Sequence, residues 1–159
     1  MVNAHRVFMD SAISLSRLSK CVSIGVGCVA VNERGRIVGS GVNGSISGYK
    51  NCCELHTDRG PTHRAWSVKY EIHAEMNCIL EMARSPVYNR SLTFYVTHSP
   101  CWNCLKHMLG MKAKGEMEVV AIVYNTVYHG STDEDIKEQM LYCNEFGVKF
   151  ISINEIENQ

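Results

Sequence analysis

Alternating hydrophobic and polar positions predict a chain of four helices and five strands. In the first helix Val7, Phe8, Ala12, Leu15 and Leu18 recur at the spacing of one helical face. The predicted helices are residues 3–20, 70–84, 102–114 and 133–146, and Ser85-Pro86, Gly115 and Gly147 mark the ends of the last three. The predicted strands are residues 26–32, 37–42, 92–97, 119–124 and 148–153.

The order of these elements indicates an α/β domain. A short turn containing Gly35 joins the first two strands, which is typical of a hairpin. Strands and helices then alternate, as in right-handed crossovers. We therefore expect a three-layer α/β fold, with helices on both faces of a five-stranded mixed sheet, as one domain over residues 1–159. Residues 43–65 are rich in Gly, Ser, Cys, His and Asn and are predicted to form a long loop held in place for a function.

The balance of charges argues against a long nucleic acid as a partner. Lys and Arg number 16, as do Asp and Glu, so the formal net charge is zero. Proteins that bind a polynucleotide usually carry a basic excess, because their cations replace phosphate counterions. No apolar run approaches the roughly 20 residues that a membrane span needs, and the amino-terminal residues do not form the apolar core of a secretion signal. We therefore expect no membrane partner and a cytoplasmic location.

Histidine, glutamate and cysteine are spaced as in a catalytic zinc site. His73 and Glu75 lie near the predicted start of the second helix, and Cys101 and Cys104 lie at the start of the third, after Pro100. Helix starts favour thiolates and bound anions. One imidazole and two thiolates leave a fourth zinc position open for water, and Glu75 would move protons. Either motif alone also occurs in structural zinc sites or redox pairs, but the two together favour catalysis.

The residues around this centre resemble a known enzyme family. His-x-Glu followed by Pro-Cys-x-x-Cys is the signature of zinc-dependent nucleobase deaminases. The resemblance extends over nearly the whole chain, through Lys20-Cys21, Gly41-Val42-Asn43-Gly44-Ser45 and Tyr128. The sequence is thus similar to the deoxycytidylate (dCMP) deaminases of the phage and bacterial type, within the cytidine deaminase-like superfamily. The resemblance implies the cytidine deaminase fold and zinc-dependent deamination of dCMP to dUMP and ammonia, which supplies dUMP for thymidylate synthesis.

The same resemblance implies roles for residues that contact the substrate. It assigns Asn43 to the deoxyribose, Ser45 and Lys20 to the phosphate, the Ala74 N–H to the base carbonyl, the Ser99 carbonyl to the amine, and Tyr128 to packing on the base. Without the zinc motifs, Asn43-Gly44 would equally suit an ordinary turn, and Tyr128 would be an ordinary aromatic residue.

A second, structural zinc is expected at the predicted loop. The chain offers five ligands for four positions there: Cys21, Cys52, Cys53, His56 and His63. Cys21, Cys52 and His63 match structural-zinc ligands of the phage enzymes. We choose His56 over Cys53 as the fourth ligand, because adjacent cysteines seldom both reach one ion. Buried free thiols are the alternative interpretation, and Cys28, Cys78 and Cys143 fit the hydrophobic core.

Regulation and assembly are also implied by the resemblance. Many family members are hexamers with dCTP and dTTP as effectors, so we expect a homo-oligomer, with Arg84 at a regulatory subunit interface. Val42 departs from a tyrosine common in relatives, and Trp102-Asn103 replaces a pair that often contains proline. The competing functions are deamination of dCTP, cytidine, deoxycytidine or tRNA adenosine, and a non-catalytic zinc-stabilised module.

Overall fold

The computed structural model describes residues 3–84 and 91–158, and within them helices and strands alternate regularly only from residue 71 onwards. The helices are α1 (Ala4–Ser16), α2 (Cys52–Leu55), α3 (Pro61–Tyr70), α4 (Ala74–Met82), α5 (Trp102–Ala113), α6 (Asp133–Glu145) and α7 (Ile153–Glu157). The strands are β1 (Gly27–Val31), β2 (Ile37–Val42), β3 (Gly44–Ser45), β4 (Glu71–Ile72), β5 (Leu92–His98), β6 (Val119–Thr126) and β7 (Lys149–Ser152).

Five of these strands form one mixed sheet. Their order is β2-β1-β5-β6-β7. β1 pairs antiparallel with β2 and β5, whereas β5, β6 and β7 are parallel. The hairpin predicted from the turn at Gly35 therefore forms one edge of the sheet, and the predicted crossovers form the rest. The prediction of a five-stranded mixed sheet is confirmed.

Helices cover both faces of the sheet, as predicted. All five residues of β1 are buried, and they alternate between two hydrophobic cores. Val29 and Val31 pack with Met9 of α1 and with α7, whereas Cys28 and Ala30 pack with residues of α4, α5 and α6. A strand covered on both sides must be apolar throughout, which explains why β1 shows no alternation. The predicted core positions Cys28, Cys78 and Cys143 are all buried.

The predicted long loop over residues 43–65 is wrong. This segment contains β3, α2 and the start of α3. β3 and β4 pair antiparallel, with Gly44 opposite Ile72 and Ser45 opposite Glu71. Because this pairing holds residues 71–72 extended, the helix predicted from residue 70 begins only at Ala74. Local propensity could not show this, since the partner strand lies nearly thirty residues away in sequence.

Other differences lie at the ends of elements. The first helix ends at Ser16 rather than Lys20, and the last predicted strand stops at Ser152, where α7 begins. The predicted stop at Ser85-Pro86 falls outside the described residues. Nowhere in residues 3–84 or 91–158 is a helix both long and apolar enough to cross a bilayer.

Candidate active site

The carboxyl ends of two neighbouring parallel strands bring together the loops of the site. β5 ends at His98 and is followed by Ser99, while β6 ends at Thr126 and leads to Tyr128. The Ser99 N–H donates to the Thr126 carbonyl at 2.8 Å, and the Ser99 hydroxyl accepts from the Tyr128 N–H at 2.9 Å. These bonds fix the two loops against each other at the edge of the sheet where α/β proteins usually bind ligands.

The three predicted zinc ligands lie within bonding distance of one common point. The Nδ1 atom of His73 is 3.4 Å from the sulfur of Cys101 and 3.4 Å from the sulfur of Cys104. All three ligand atoms lie within 4.8 Å of one another. A tetrahedral ion with Zn–S bonds of about 2.3 Å and Zn–N bonds of about 2.0 Å separates its ligand atoms by roughly 3.5 Å. The two nitrogen–sulfur distances therefore match those around a tetrahedral zinc ion.

Both halves of this triad begin a helix, as predicted. His73 is the N-cap residue of α4, and Cys101 is the N-cap of α5, where its sulfur accepts from the backbone N–H of Cys104. A hydrogen bond from the Cys104 thiol, together with His73, lowers the pKa of Cys101 below that of a free thiol. This favours the thiolate, which is the form that binds a cation.

Glu75 lies in the first turn of α4, two residues after the ligand His73. It lines the cleft, but only 3% of its surface is exposed. This burial raises the pKa of Glu75 above its usual value. A carboxyl group whose pKa is moved towards neutrality can both accept and return a proton, which suits a general acid–base catalyst.

A second group of potential ligands forms around the start of α3. Cys21, Cys52, His63 and Glu71 place their ligand atoms within 4.8 Å of one another. The sulfur of Cys21 is 3.5 Å from His63 Nε2 and 3.5 Å from Glu71 Oε2. These separations match those of the first triad. Three of the four predicted structural ligands are thus brought together.

The predicted fourth ligand, His56, is outside this group, and Glu71 takes its place. The His56 ring packs edge-on against the ring of His63, with centroids 5.4 Å apart. Its Nε2 is buried without a hydrogen-bond partner among the described residues. Cys53, the alternative, is exposed and also outside the group. His56 is the C-cap residue of α2, and its ring is occupied by contacts with His63 and with Trp66, whose centroid is 5.3 Å away.

Glu71 is directed to the second group by the β3–β4 pairing. The Ser67 hydroxyl donates to Glu71 Oε2 at 2.5 Å, while Oε1 is buried with no partner within the described part of the chain. A buried carboxylate oxygen without a partner is costly, and a bound cation would satisfy it. In the sequence, Glu71 follows His63 by eight residues. It was not predicted as a ligand because it falls within the helix predicted from residue 70.

A cleft of about 570 Å³ adjoins both groups. Four of the predicted substrate residues line it together with Glu75, namely Asn43, Ala74, Ser99 and Tyr128. Its size falls in the range of small-ligand sites. These four assignments share one cavity, although they come from four separate segments of the chain.

Asn43 also braces the wall of this cleft. Its Oδ1 accepts from the Val26 N–H at 2.7 Å, and its Nδ2 donates to the Ile24 carbonyl at 2.9 Å. A side-chain amide has a further N–H and a further lone pair. Asn43 can therefore hold the segment before β1 and still bond to a ligand.

The two predicted phosphate residues do not line the cleft. The Ser45 hydroxyl donates to the Lys50 carbonyl at 2.7 Å, within its own turn. Lys20 is exposed, and its carbonyl accepts from the Cys53 N–H at 3.0 Å. Arg84 is exposed in the turn that follows α4 and is also outside the cleft lining.

Four arginine and histidine residues of the cleft were not predicted as binding residues. Arg59, Arg64, His98 and His129 all line it. Burial, with a smaller contribution from His129, lowers the pKa of His98. Arginines in a polar segment give no local signal, because most such arginines are simply solvated.

The comparisons with known proteins agree with this geometry. Residues 2–123 match the family model described as "Cytidine and deoxycytidylate deaminase zinc-binding region". The deoxycytidylate deaminase of Enterobacteria phage T4 is 34% identical over 132 residues, covering 62% of this chain and 68% of the relative. ComE operon protein 2 of Bacillus subtilis is 32% identical over 108 residues, covering 68% of this chain and 54% of the relative.

A solved structure is similar over almost the entire length. The dCMP deaminase of the cyanophage S-TIM5, crystallised in complex with dCMP and dUMP, superposes with a TM-score of 0.70 and 27% identity. The match covers 93% of this chain and 95% of the other. With the sheet order, the zinc triad and the family model in agreement, the chain belongs to the cytidine and deoxycytidylate deaminase family.

Proposed function

We propose that this protein is a zinc-dependent hydrolase that converts dCMP and water into dUMP and ammonia. The observation that carries this function is the buried Glu75 beside the His73, Cys101 and Cys104 triad, at the wall of a nucleotide-sized cleft. Its similarity to deoxycytidylate deaminases from phage T4 and from the cyanophage S-TIM5 supports dCMP as the substrate.

Glu75 carries the proton through the reaction. A zinc ion held by His73, Cys101 and Cys104 acts, when bound, as a Lewis acid that lowers the pKa of a coordinated water to about 7. Glu75 accepts the proton of the attacking water and delivers it to the ring nitrogen of the base. It then takes the remaining proton from the hydroxyl that the attack has placed on the ring carbon and passes it to the amine. The C–N bond breaks as the carbonyl of dUMP forms, and the amine leaves as ammonia. The raised pKa of Glu75, caused by its burial, suits this repeated transfer, because it makes the carboxylate a stronger base than an exposed glutamate.

Backbone groups orient the base. Ala74 is the first residue of α4, so its N–H has no partner within the helix and points out of the helix start. We infer that it donates to the base carbonyl. The Ser99 carbonyl accepts from the exocyclic amine, and Tyr128 packs on the ring from the loop that the Ser99 hydroxyl holds. A base held in this way presents its amine-bearing carbon to the attacking water.

We also propose a second, structural zinc at Cys21, Cys52, His63 and Glu71. This donor set has two thiols, one imidazole and one carboxylate, and no position is left for water. The unpartnered Oε1 of Glu71 supports the presence of a cation. The ion would tie α3 and β4 to the segment before β1, and so brace one wall of the cleft.

We infer the assembly and the regulation of this protein from those of its family. We expect a homo-oligomer, with a hexamer favoured, dCTP and dTTP as effectors, and Arg84 at a subunit interface. Light scattering with and without the two nucleotides measures the assembly directly. A cytoplasmic location and the absence of a polynucleotide partner stay predictions from the sequence.

The substrate is tested with a panel of dCMP, dCTP, cytidine and deoxycytidine, assayed for ammonia release. We expect the highest kcat/KM with dCMP, and a preference for a nucleoside would contradict the assignment. Glu75→Gln should keep its zinc and fold but lose more than 100-fold in kcat, since general acid–base catalysis contributes about that much. Glu81→Gln, an exposed glutamate in the same helix, is the matched control and should retain full activity.

A further inference from the structure

We propose that Arg59 and Arg64 bind the 5′-phosphate of the substrate and make the enzyme prefer a nucleoside monophosphate to the free nucleoside. This inference rests on the proposed function and adds the residues that decide its specificity. Both side chains line the cleft that contains Glu75. Among the described residues they are the only lysines or arginines to do so.

A phosphate needs a fixed positive charge, and the cleft offers this charge in one place. Arginine stays protonated at all physiological pH values and presents donors in a planar fork that matches phosphate oxygens. Neither Arg59 nor Arg64 forms a salt bridge with a carboxylate in residues 3–84 and 91–158. Their charges are therefore available to a ligand.

The acidic residues of the cleft do not cancel this charge. Glu75 is buried, with only 3% of its surface exposed, and Glu71 faces Cys21 and Ser67. The two arginines, by contrast, are exposed. Within the described residues, neither carboxylate of the cleft lining forms a salt bridge with an arginine, so a nucleotide whose base reaches Glu75 can extend its phosphate towards Arg59 and Arg64.

The other basic side chains of the cleft are weaker candidates. Burial lowers the pKa of His98, so this imidazole is neutral at neutral pH. The His129 ring lies against Tyr128, with ring centroids 4.4 Å apart and the planes tilted by 46°. The arginines alone supply charge that does not depend on pH.

The position of the two arginines is set by the second group of ligands. Arg64 directly follows the buried His63, and Arg59 precedes it by four residues. The Arg64 N–H donates to the Gly60 carbonyl at 3.1 Å, and the Gly60 N–H donates to Asp58 at 2.8 Å. This turn and the first turn of α3 hold both arginines on the segment that His63 anchors to Cys21. The arginines are therefore carried by the segment that His63 joins to Cys21.

The experiment measures binding in the Glu75→Gln enzyme loaded with zinc, in which dCMP binds without turnover. Calorimetry compares dCMP with deoxycytidine, which differs only by the phosphate. Adding Arg59→Gln or Arg64→Gln should lower the affinity for dCMP about 10- to 100-fold, which is the loss expected for a charge-assisted hydrogen bond. The affinity for deoxycytidine should stay within about twofold of its value without the arginine substitution. Arg64→Lys should recover part of the loss. Arg36→Gln, in the exposed hairpin turn, is the control and should change neither ligand.

In the enzyme that retains Glu75, the arginine variants should raise KM for dCMP with little change in kcat, because the phosphate is bound equally in the ground state and the transition state. Equal weakening of dCMP and deoxycytidine, or unchanged dCMP affinity, would overturn the proposal. A larger effect from Lys20→Gln would also overturn it and restore the assignment made from sequence. If the wild-type enzyme released no ammonia from dCMP, the proposed function would fail, while the calorimetric comparison would still decide the role of the arginines.

Discussion

The close contact between β2 and α4 allows a sharp test of how the fold positions the active site. A Cβ atom added at Gly41 would lie 2.1 Å from the Ala74 carbonyl oxygen and 2.4 Å from the Cys78 nitrogen. Ordinary van der Waals contact begins at 3.4 Å. Since both neighbours are backbone atoms of a helix, they cannot turn aside. Gly41→Ala must therefore push β2 and α4, the helix that bears Glu75, apart by about 1 Å.

Two measurable losses follow from this displacement. Overpacking of a buried site usually costs about 1–3 kcal/mol, so the free energy of unfolding should fall by that amount in urea titrations. A shift of about 1 Å in a catalytic group can cost about 100-fold in rate. We expect kcat/KM for dCMP to fall by this factor, measured as ammonia release from the folded, zinc-loaded variant.

Two alanine substitutions at other glycines serve as controls. At Gly39 the nearest atom is Met82 Cγ at 2.3 Å, which belongs to a flexible side chain, so Gly39→Ala should lose less activity. At Gly110 no atom lies within 4 Å, and this glycine lies in α5. Gly110→Ala should therefore stabilise the protein by roughly 0.5–1 kcal/mol. If Gly41→Ala kept wild-type activity, or lost no more than Gly39→Ala, the argument from backbone contact would be refuted.

Three further predictions concern the supports of the site. The side-chain amide of the buried Gln139 donates to the carbonyl of Pro100 at 2.8 Å, next to the zinc ligand Cys101. Gln139→Leu should therefore lower the affinity for zinc about 10-fold, measured by competition with a chelator. An unchanged zinc affinity would disprove that support. Cys52→Ser should reduce the bound zinc from two ions per chain to one and lower the Tm, as measured by elemental analysis and thermal melts. Cys53→Ser, at the exposed neighbouring cysteine, is the control and should change neither the zinc content nor the Tm. The Thr132 N–H lowers the pKa of Asp135 below its usual 3.8. The hydrogen bond to the ionised Asp135 stabilises the fold above pH 3.8, and this contribution is lost as the pH falls through the lowered pKa. In urea titrations, Asp135→Asn should therefore be less stable than the wild type at pH 7 but not at pH 2.

The catalytic centre follows from short-range spacing. His73 and Glu75 are two residues apart, and Cys101 and Cys104 are three apart, so one helix start positions each pair once the helix forms. The same holds for the sheet, because apolar runs such as β1 and β5 have one stable environment, between two layers of helices. These features depend on local sequence and on the period of each element.

Tertiary structure alone decided the rest of the site. Glu71, rather than His56, joins Cys21, Cys52 and His63, and it lies on β4, which pairs with the distant strand β3. Likewise Arg59 lines the cleft from the segment before α3, a helix whose His63 contacts Cys21. Hydrophobic periodicity specifies which face of an element is buried, but it does not encode which distant polar groups meet at that element's end. The chemistry of the zinc triad was therefore determined by the sequence, and the groups that surround it by the packing of segments that meet only in the folded chain.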